Sequence, residues 1–317
     1  MHINFAITIA GLIAGFVIGL TGVGGGALLT PLLIMLNVNP VTAVSTDIVA
    51  SLVLKPIGGF VHLRERTVNL KLVLWLSVGS MPAALAGVYT ITHMHGDVDT
   101  TIKEILGWVL IVAATAMIAK VIVSARRPTA TAAPGTLPIK ILPTVAIGVV
   151  GGYIVGLTSV GSGSLMVVCL MLLYMRMSTR ELVGTDLVQA IPLIGSATIG
   201  ILLWGHLQFA TTASLLIGAI PAVYIGARMS ARANDGYIRP VIVVALIFSA
   251  LKVLNASTTT LKLVLAICLV PMTIELVRVA RHDIADRRAA RTAAADAATN
   301  GTPVSSDSPA DAALADA

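Results

Sequence analysis

Long apolar segments alternate with short polar ones along most of the chain. Many of the apolar segments have about 20 residues, the length that a helix needs to cross the hydrocarbon core of a bilayer. Two other apolar segments, 3–37 and 139–175, are interrupted by glycine-rich stretches, which predicts two broken helical hairpins. Continuous helices are predicted at 40–63, 70–92, 103–123, 179–204, 208–229, 238–254 and 260–278.

The composition also indicates a membrane protein. Of the 317 residues, 56% are hydrophobic and 11% are charged, whereas soluble domains contain about 25% charged residues. The net charge of +6 does not indicate a nucleic-acid partner, because the lysines and arginines lie in short loops between apolar segments, where membrane proteins concentrate positive charge. These features predict an all-α integral membrane protein with several crossings.

The chain contains the same motif twice. Residues 19–26 read GLTGVGGG and residues 156–163 read GLTSVGSG, 137 positions later, and Thr46-Asp47 recurs after 139 positions as Thr185-Asp186. A duplicated, glycine-broken helix in an apolar chain is typical of transporters built from two repeats. The predicted divisions are a first repeat at 1–124, a linker at 125–139, a second repeat at 140–254, an extra helix at 255–280 and a disordered tail at 281–317.

Loop charges predict that the two repeats have opposite orientations in the membrane. Arg64, Arg66 and Lys71 assign the 64–71 loop to the inside, whereas the equivalent loop at 204–209 has no lysine or arginine and is assigned to the outside. The predicted loop at 92–104 is also assigned to the outside, because its charges are mostly acidic, with Asp97 among them. The arms of each broken hairpin are shorter than a full crossing. This favours re-entrant hairpins with glycine-rich tips near the middle of the membrane, although two tilted crossings would give the same topology.

The glycine-rich tips predict a site for a small anion between the repeats. Glycine lets the backbone approach a ligand closely, N–H groups at the start of the following half-helix attract negative charge, and hydroxyl groups add donors. The alternative is that these glycines only allow close helix packing. The candidate substrate-binding residues are Thr21, Gly24, Gly25, Gly26, Thr158, Ser159, Gly161, Ser162, Gly163 and Ser164.

Ionisable side chains within the predicted membrane helices form a second group of candidates. Asn39 before Pro40 and the capping box of Ser178 and Glu181 mark the predicted starts of two helices. Asp47 and Asp186 lie seven or eight residues from these starts, a depth of about 10–12 Å. Ser51 and Lys55 follow Asp47 by one and two turns on the same helix face, and Gln189 lies one turn from Asp186. Charged groups at this depth are usually functional, so these residues are candidates for binding a coupling ion or balancing charge. The alternative is a structural role as buried supports for the tips.

The motifs together resemble the sulfite exporter TauE/SafE family of membrane permeases. The similarity rests on GFVIGLTGVGGGALLTPLLIML and TAVSTDIVAS in the first half and on IVGLTSVGSGSL and ELVGTDLVQAIPL in the second, and it covers about residues 5–254. Many members have serine after the threonine, whereas both halves of this chain have Thr-Asp. The resemblance implies transport of sulfur-containing anions or organic sulfonates across the bacterial cytoplasmic membrane.

We therefore expect a multipass secondary transporter that moves a small anion by alternating access, with a proton as the candidate coupling ion. One alternative is a passive anion channel, and another is an intramembrane enzyme that uses Ser162 with a histidine. We expect no enzymatic activity, cofactor or metal. The expected partners are the anion and the lipid bilayer, and a homodimer is compatible with the sequence. The expected location is the bacterial cytoplasmic (inner) membrane, with the C-terminal tail in the cytoplasm.

Overall fold

Among the residues that it describes, the computed structural model contains α-helices joined by short turns and no β-strand. The described residues are 4–21, 26–65, 67–95, 97–126, 138–205, 207–230, 247, 249–251 and 253–254. The helices are α1 (Phe5–Thr21), α2 (Gly26–Met35), α3 (Pro40–Arg64), α4 (Leu70–His93), α5 (Val98–Arg126), α6 (Ile141–Thr158), α7 (Leu165–Leu173), α8 (Thr179–Trp204) and α9 (Phe209–Ser230). Five of the described helices, α3, α4, α6, α8 and α9, contain a segment long and apolar enough to cross a membrane. The predicted all-helical, membrane-type fold class is therefore confirmed.

Most helix boundaries lie close to the predicted ones, and α5 is the clearest exception. It begins at Val98 rather than at residue 103, so the predicted outer loop at 92–104 is mostly helical. The Asp97 carboxylate accepts hydrogen bonds from the Thr100 amide at 3.3 Å and the Thr100 hydroxyl at 2.7 Å. These bonds cap the first turn and hold the pKa of Asp97 below its usual range. The predicted extra helix at 255–280 and the tail at 281–317 lie outside the described residues.

The two helices that carry the buried aspartates begin at the predicted capping residues. Asn39 precedes Pro40 of α3, and its side-chain oxygen accepts a hydrogen bond from the Val41 amide at 3.0 Å. Ser178 precedes α8, and its hydroxyl accepts a hydrogen bond from the Glu181 amide at 3.1 Å. These caps fix the starts of α3 and α8, and they therefore fix how far along each helix its aspartate lies.

The first helix of each half packs along a helix of the other half, α1 on α9 and α6 on α4. Three close backbone approaches occur at equivalent positions in the two interfaces. In the first interface they are Gly11 with Leu215, Gly15 with Ala219 and Gly218 with Thr8; in the second they are Gly148 with Leu76, Gly152 with Ser80 and Gly79 with Val145. A Cβ at any of these glycines would overlap backbone atoms of the neighbouring helix, so the close packing of both helix pairs requires glycine.

Equivalent helices of the two halves, α3 and α8, pack against each other in opposite directions. Gly184, near the start of α8, lies against His62, near the end of α3, whereas Gly195, further along α8, lies near Leu52, further back in α3. Apolar side chains of both helices are buried together with side chains of α4 and α6 in one cluster. The antiparallel pair α3–α8 therefore forms the centre of the described structure.

The helices α6 and α7 form a hairpin whose two ends lie side by side. Tyr174 follows α7, and its hydroxyl accepts a hydrogen bond from the Lys140 amide at 3.0 Å and hydrogen-bonds to the Thr144 hydroxyl at 2.6 Å, both at the start of α6. The nine residues of α7 give it a length of about 14 Å, roughly half the thickness of a ~30 Å hydrocarbon core. The first arm, α6, has 18 residues and is long and apolar enough to cross a membrane, so the prediction that both arms are shorter than a crossing is wrong for this arm. The chain then returns through α7, a short second arm, to the end from which α6 starts.

Candidate functional site

The two helix breaks meet where α2 starts. The first break separates Thr21, the last residue of α1, from Gly26, the first residue of α2, and residues 22–25 between them lie outside the described residues. The second break begins after Thr158, the last residue of α6. Gly26 lies so close to Ser159 that a Cβ on the glycine would overlap the Ser159 carbonyl oxygen. The start of α2 is therefore in direct contact with the second break.

The backbone of the second break adopts conformations that favour glycine. Ser159 follows α6 in the left-handed region with a φ of 61°, and Gly161 and Gly163 have φ values of 132° and 90°. Residues with a side chain are strained at such values. Glycine at 161 and 163 is therefore required by the path of the backbone, independently of any ligand.

The start of α7 forms hydrogen bonds within its own break. The amides of Leu165 and Met166 donate to the carbonyl oxygen of Gly161 at 3.1 and 3.3 Å. The Thr158 hydroxyl is also engaged by the backbone, since it donates to a carbonyl one turn back at 2.8 Å and accepts from the Val160 amide at 3.2 Å. Because these two amides donate within the chain, fewer N–H groups remain at this helix start for an anion.

Asp47 is buried and accepts hydrogen bonds from two hydroxyl groups. Thr30 of α2 donates to Oδ2 at 2.6 Å, and Ser51, one turn further along α3, donates to Oδ1 at 3.4 Å. Ser159, at the second break, lies close enough to Asp47 to stabilise its negative charge. Hydrogen bonds to an ionised carboxylate are among the stronger ones in proteins. Because Thr30 and Ser159 belong to other segments of the chain, Asp47 links α2 and the second break to α3.

Lys55 lies two turns beyond Asp47 on α3, and its side chain is buried. Its ammonium group donates a hydrogen bond to the hydroxyl of Ser162 at the second break, and it interacts electrostatically with Asp186 and Asp47. This contact links the two halves of the chain. We call the following group the central polar cluster: Thr30, Asp47, Ser51, Lys55, Ser159, Ser162 and Asp186.

The polar residues beside Asp186 bind neighbouring parts of the scaffold. Gln189 donates from Nε2 to the Ser80 hydroxyl of α4 at 2.5 Å, and its Oε1 has no hydrogen-bond partner within the described part of the chain. Thr185 accepts a hydrogen bond from the amide of Asn69, just before α4, at 3.0 Å. These contacts join α8 to α4. Gln189 lies one turn from Asp186 along α8, and its side chain binds α4.

Of the predicted site residues, the central polar cluster contains Ser159, Ser162, Asp47, Lys55 and Asp186. Gly24, Gly25 and the side chain of Thr21 lie outside the described parts, and Ser164 is buried directly before α7. The sequence reasoning missed Thr30, whose signal is a hydroxyl one turn after Gly26 in an otherwise apolar helix. The described residues contain no group of three His, Cys, Asp or Glu side chains placed to hold a metal ion.

The sequence is similar to those of membrane transporters. The profile of the sulfite exporter TauE/SafE family matches residues 7–253. The probable membrane transporter protein YjnA of Bacillus subtilis (strain 168) is 38% identical over 255 residues, which are 79% of this chain and 100% of YjnA. The probable membrane transporter proteins YdhB and YunE of the same organism are 23% and 24% identical, over 68% and 72% of this chain and 86% and 87% of their own lengths. No solved structure is significantly similar to this chain.

Proposed function

We propose that this chain, which belongs to the sulfite exporter TauE/SafE family of membrane transporters, is a secondary transporter that moves a small anion by alternating access. The observation that carries the proposal is the central polar cluster, which lies where the two helix breaks meet and draws side chains from both halves. Broken helices at the interface of two repeats typically form the substrate site in transporters.

In this proposal the two halves are inverted repeats. The proposal is supported by the antiparallel packing of the equivalent helices α3 and α8 and by the equivalent glycine contacts of α1 with α9 and α6 with α4. If α3 and α8 start at opposite membrane surfaces, rocking one half against the other gives access to the central polar cluster from each side in turn.

The helix breaks are the tips of re-entrant hairpins in this proposal. Support comes from the contacts of Tyr174 with the start of α6 and from the short second arms, with nine residues in α7 and ten in α2. Irregular backbone at mid-membrane depth is stable only where protein buries it or a polar cavity contacts it. The contact between Gly26 and Ser159 fits this requirement, because the start of α2 covers backbone of the second break.

The charge of the central polar cluster favours coupling to a proton. With Lys55, Asp47 and Asp186 all ionised, the formal charge is −1, and this charge repels an incoming anion. A proton on one carboxylate removes that repulsion. We assign the proton to Asp186, because protonation of Asp47 would weaken its hydrogen bonds with the hydroxyl groups of Thr30 and Ser51.

The family name indicates the substrate class. We propose a sulfur oxyanion or an organosulfonate, transported across the bacterial cytoplasmic membrane with the loop at 64–71 on the inside, where positively charged loops are retained.

One contact favours a second candidate function, an intramembrane hydrolase. Lys55 and Ser162 are paired as the base and nucleophile of a Ser–Lys hydrolase would be. Such an enzyme also needs amide donors for an oxyanion, but the amides of Leu165 and Met166 already donate to Gly161. Ester hydrolysis by the purified protein that disappears in Ser162→Ala would favour this candidate over transport.

The proposed function is tested by flux measurements in proteoliposomes. Uptake and efflux of sulfite, sulfate, thiosulfate and methanesulfonate are compared with and without a pH gradient, and protein-free vesicles serve as the control. We expect saturable flux of at least one sulfur oxyanion that is accelerated by the gradient. Flux without saturation and insensitive to the gradient would indicate a channel, and no flux of any of the four anions would contradict the proposal.

A further inference from the structure

Lys55 is the one lysine or arginine that is buried among the described residues. It lies fifteen residues from the start of the 25-residue helix α3, a distance of about 22 Å along the helix axis. Its charge therefore lies within the apolar part of the helix and not at an end, where a long side chain could reach the interface. A cation at this depth is expensive to maintain, and such residues usually bind a partner or a ligand.

The hydrogen-bond acceptor of Lys55 is a neutral hydroxyl. The ammonium donates to Ser162, whereas the Asp47 carboxylate is bound by the hydroxyl groups of Thr30 and Ser51. An ammonium has three N–H donors, so the contact with Ser162 leaves donors that can bind the oxygen atoms of an anion. Since the start of α7 is engaged within its own break, Lys55 supplies the positive charge that the helix start was expected to provide.

The second half has no equivalent of this cation. The residue 139 positions after Lys55 is Ile194, which is buried in the apolar cluster between α3 and α8. The residue equivalent to Ser51 is Ala190, which is buried in the same cluster. The positive charge of the described site therefore comes from one half of a duplicated scaffold.

We infer, building on the proposed transport function, that Lys55 and Ser162 are the ligand pair that selects the substrate by charge. The selected substrate is a singly charged oxyanion with at least two free oxygen atoms. The Lys55 ammonium binds one oxygen of the anion and the Ser162 hydroxyl donates to another, in place of their mutual contact. Asp47, which stays ionised when Asp186 carries the proton, disfavours a dianion, because its carboxylate interacts with Lys55 and repels a second negative charge.

The inference is tested by calorimetric binding to the purified full chain in detergent at neutral pH. The three probes have similar size and different charge: methanesulfonate carries one negative charge, sulfate two and dimethyl sulfone none. We expect the wild-type protein to bind methanesulfonate about tenfold more tightly than either other compound. We expect Lys55→Met to bind methanesulfonate about 10- to 100-fold more weakly, because an ionic hydrogen bond is lost, with unchanged affinity for dimethyl sulfone.

Three further variants make the test specific. Lys55→Arg keeps the charge and is expected to keep the preference for methanesulfonate, and Ser162→Ala is expected to weaken methanesulfonate binding about three- to tenfold through loss of one hydroxyl donor. Lys71→Met removes an exposed charge at the start of α4 and is expected to bind like the wild type. If Lys55→Met does not elute as a single folded species, an equal loss for all three probes in Ser162→Ala overturns the inference.

Other outcomes would also overturn the inference: an unchanged preference for methanesulfonate in folded Lys55→Met, tighter binding of sulfate than of methanesulfonate by the wild type, or no binding of any probe. Failure of the transport proposal gives a different result. Charge-selective binding that depends on Lys55, without flux in vesicles, contradicts transport and retains the ligand pair. Methanesulfonate flux that is unchanged in Lys55→Met retains transport and contradicts the ligand pair.

Discussion

The helices α3 and α8 occupy equivalent positions in the two halves, yet their polar residues differ. Each contains a buried aspartate seven residues from its first residue, Asp47 in α3 and Asp186 in α8. Around Asp47 the first half contributes two hydroxyl groups and an ammonium, and the second half has apolar residues at the same positions. These pairs are Thr30 and Val167, Ser51 and Ala190, and Lys55 and Ile194. The duplicated aspartate therefore works in two different environments.

The packing interfaces of the two halves, in contrast, have remained equivalent. The approaches of Gly15 to Ala219 and of Gly152 to Ser80 involve matching positions, and both exclude a side chain on the glycine. Close helix packing leaves no room for variation, whereas a polar site tolerates different residues if its charges and hydrogen bonds remain balanced. The difference between the halves therefore lies in the chemistry and not in the scaffold.

The largest expected effects come from two single variants, in which Asp47 or Asp186 is replaced by asparagine. Asp47→Asn removes the acceptor charge for two hydroxyl groups and a counter-charge of Lys55, and we expect flux in proteoliposomes to fall about 100-fold or more. Asp186→Asn cannot bind a proton. We expect it to fold normally and to show flux that no longer changes with the pH gradient.

The control for both variants is the amount of folded protein that detergent extracts from the membrane, measured by size-exclusion chromatography. If Asp186→Asn loses flux and folded protein to the same extent, this aspartate has a structural role. If the two variants behave identically, the proposal that Asp186 carries the proton while Asp47 stays ionised is contradicted.

A smaller effect is expected when the equivalent packing interfaces are perturbed. Gly15→Ala and Gly152→Ala each place a Cβ against backbone of the neighbouring helix, and we expect each to destabilise the protein by about 1–3 kcal/mol. Thermal unfolding in detergent should show similar decreases in Tm. Gly195→Ala is the matched control, because its nearest contact is the end of the Leu52 side chain at 4.0 Å. Clearly unequal decreases for Gly15→Ala and Gly152→Ala would show that the interfaces are not energetically equivalent.

The smallest expected effect concerns the ends of the two hairpins. Tyr174 closes the second hairpin through its hydroxyl, whereas the residue 137 positions earlier is Asn37, in the left-handed conformation with a φ of 61°. Tyr174→Phe keeps the ring and removes the hydrogen bonds. We therefore expect the free energy of unfolding to fall by about 1 kcal/mol, which should appear as a small decrease in Tm. Tyr224→Phe, on the exposed side of α9, is the control and should have no effect.

Much of the helical architecture could be predicted from the sequence, because the relevant signals are local. The apolar pattern located α3, α4, α8 and α9, and Asn39 and Ser178 marked two helix starts. The start of α5 was predicted too late, because Asp97 was interpreted as a loop charge although it also caps a helix. The polarity of a residue alone does not distinguish these two roles.

The contacts of the central polar cluster could be predicted only in part. Spacing along one helix correctly paired Asp47 with Ser51, but the bonds from Thr30 to Asp47 and from Lys55 to Ser162 join residues 17 and 107 positions apart. Such partners are determined by how the helices pack, and periodicity contains no information on them. The pairing of the Leu165 amide with Gly161 likewise depends on the positive φ of Gly161.

The first helix of each half packs against a helix of the other half, and this arrangement has a consequence for biosynthesis. When α6 leaves the ribosome, α4 has already been made, whereas α1 must wait for α9, whose Ala219 lies 204 positions after Gly15. At a synthesis rate of ~5–20 residues per second, the delay is roughly 10–40 s. During this time the glycine-lined face of α1 lacks its final neighbour, so this face is exposed to mispairing while the helices between α1 and α9 are being made.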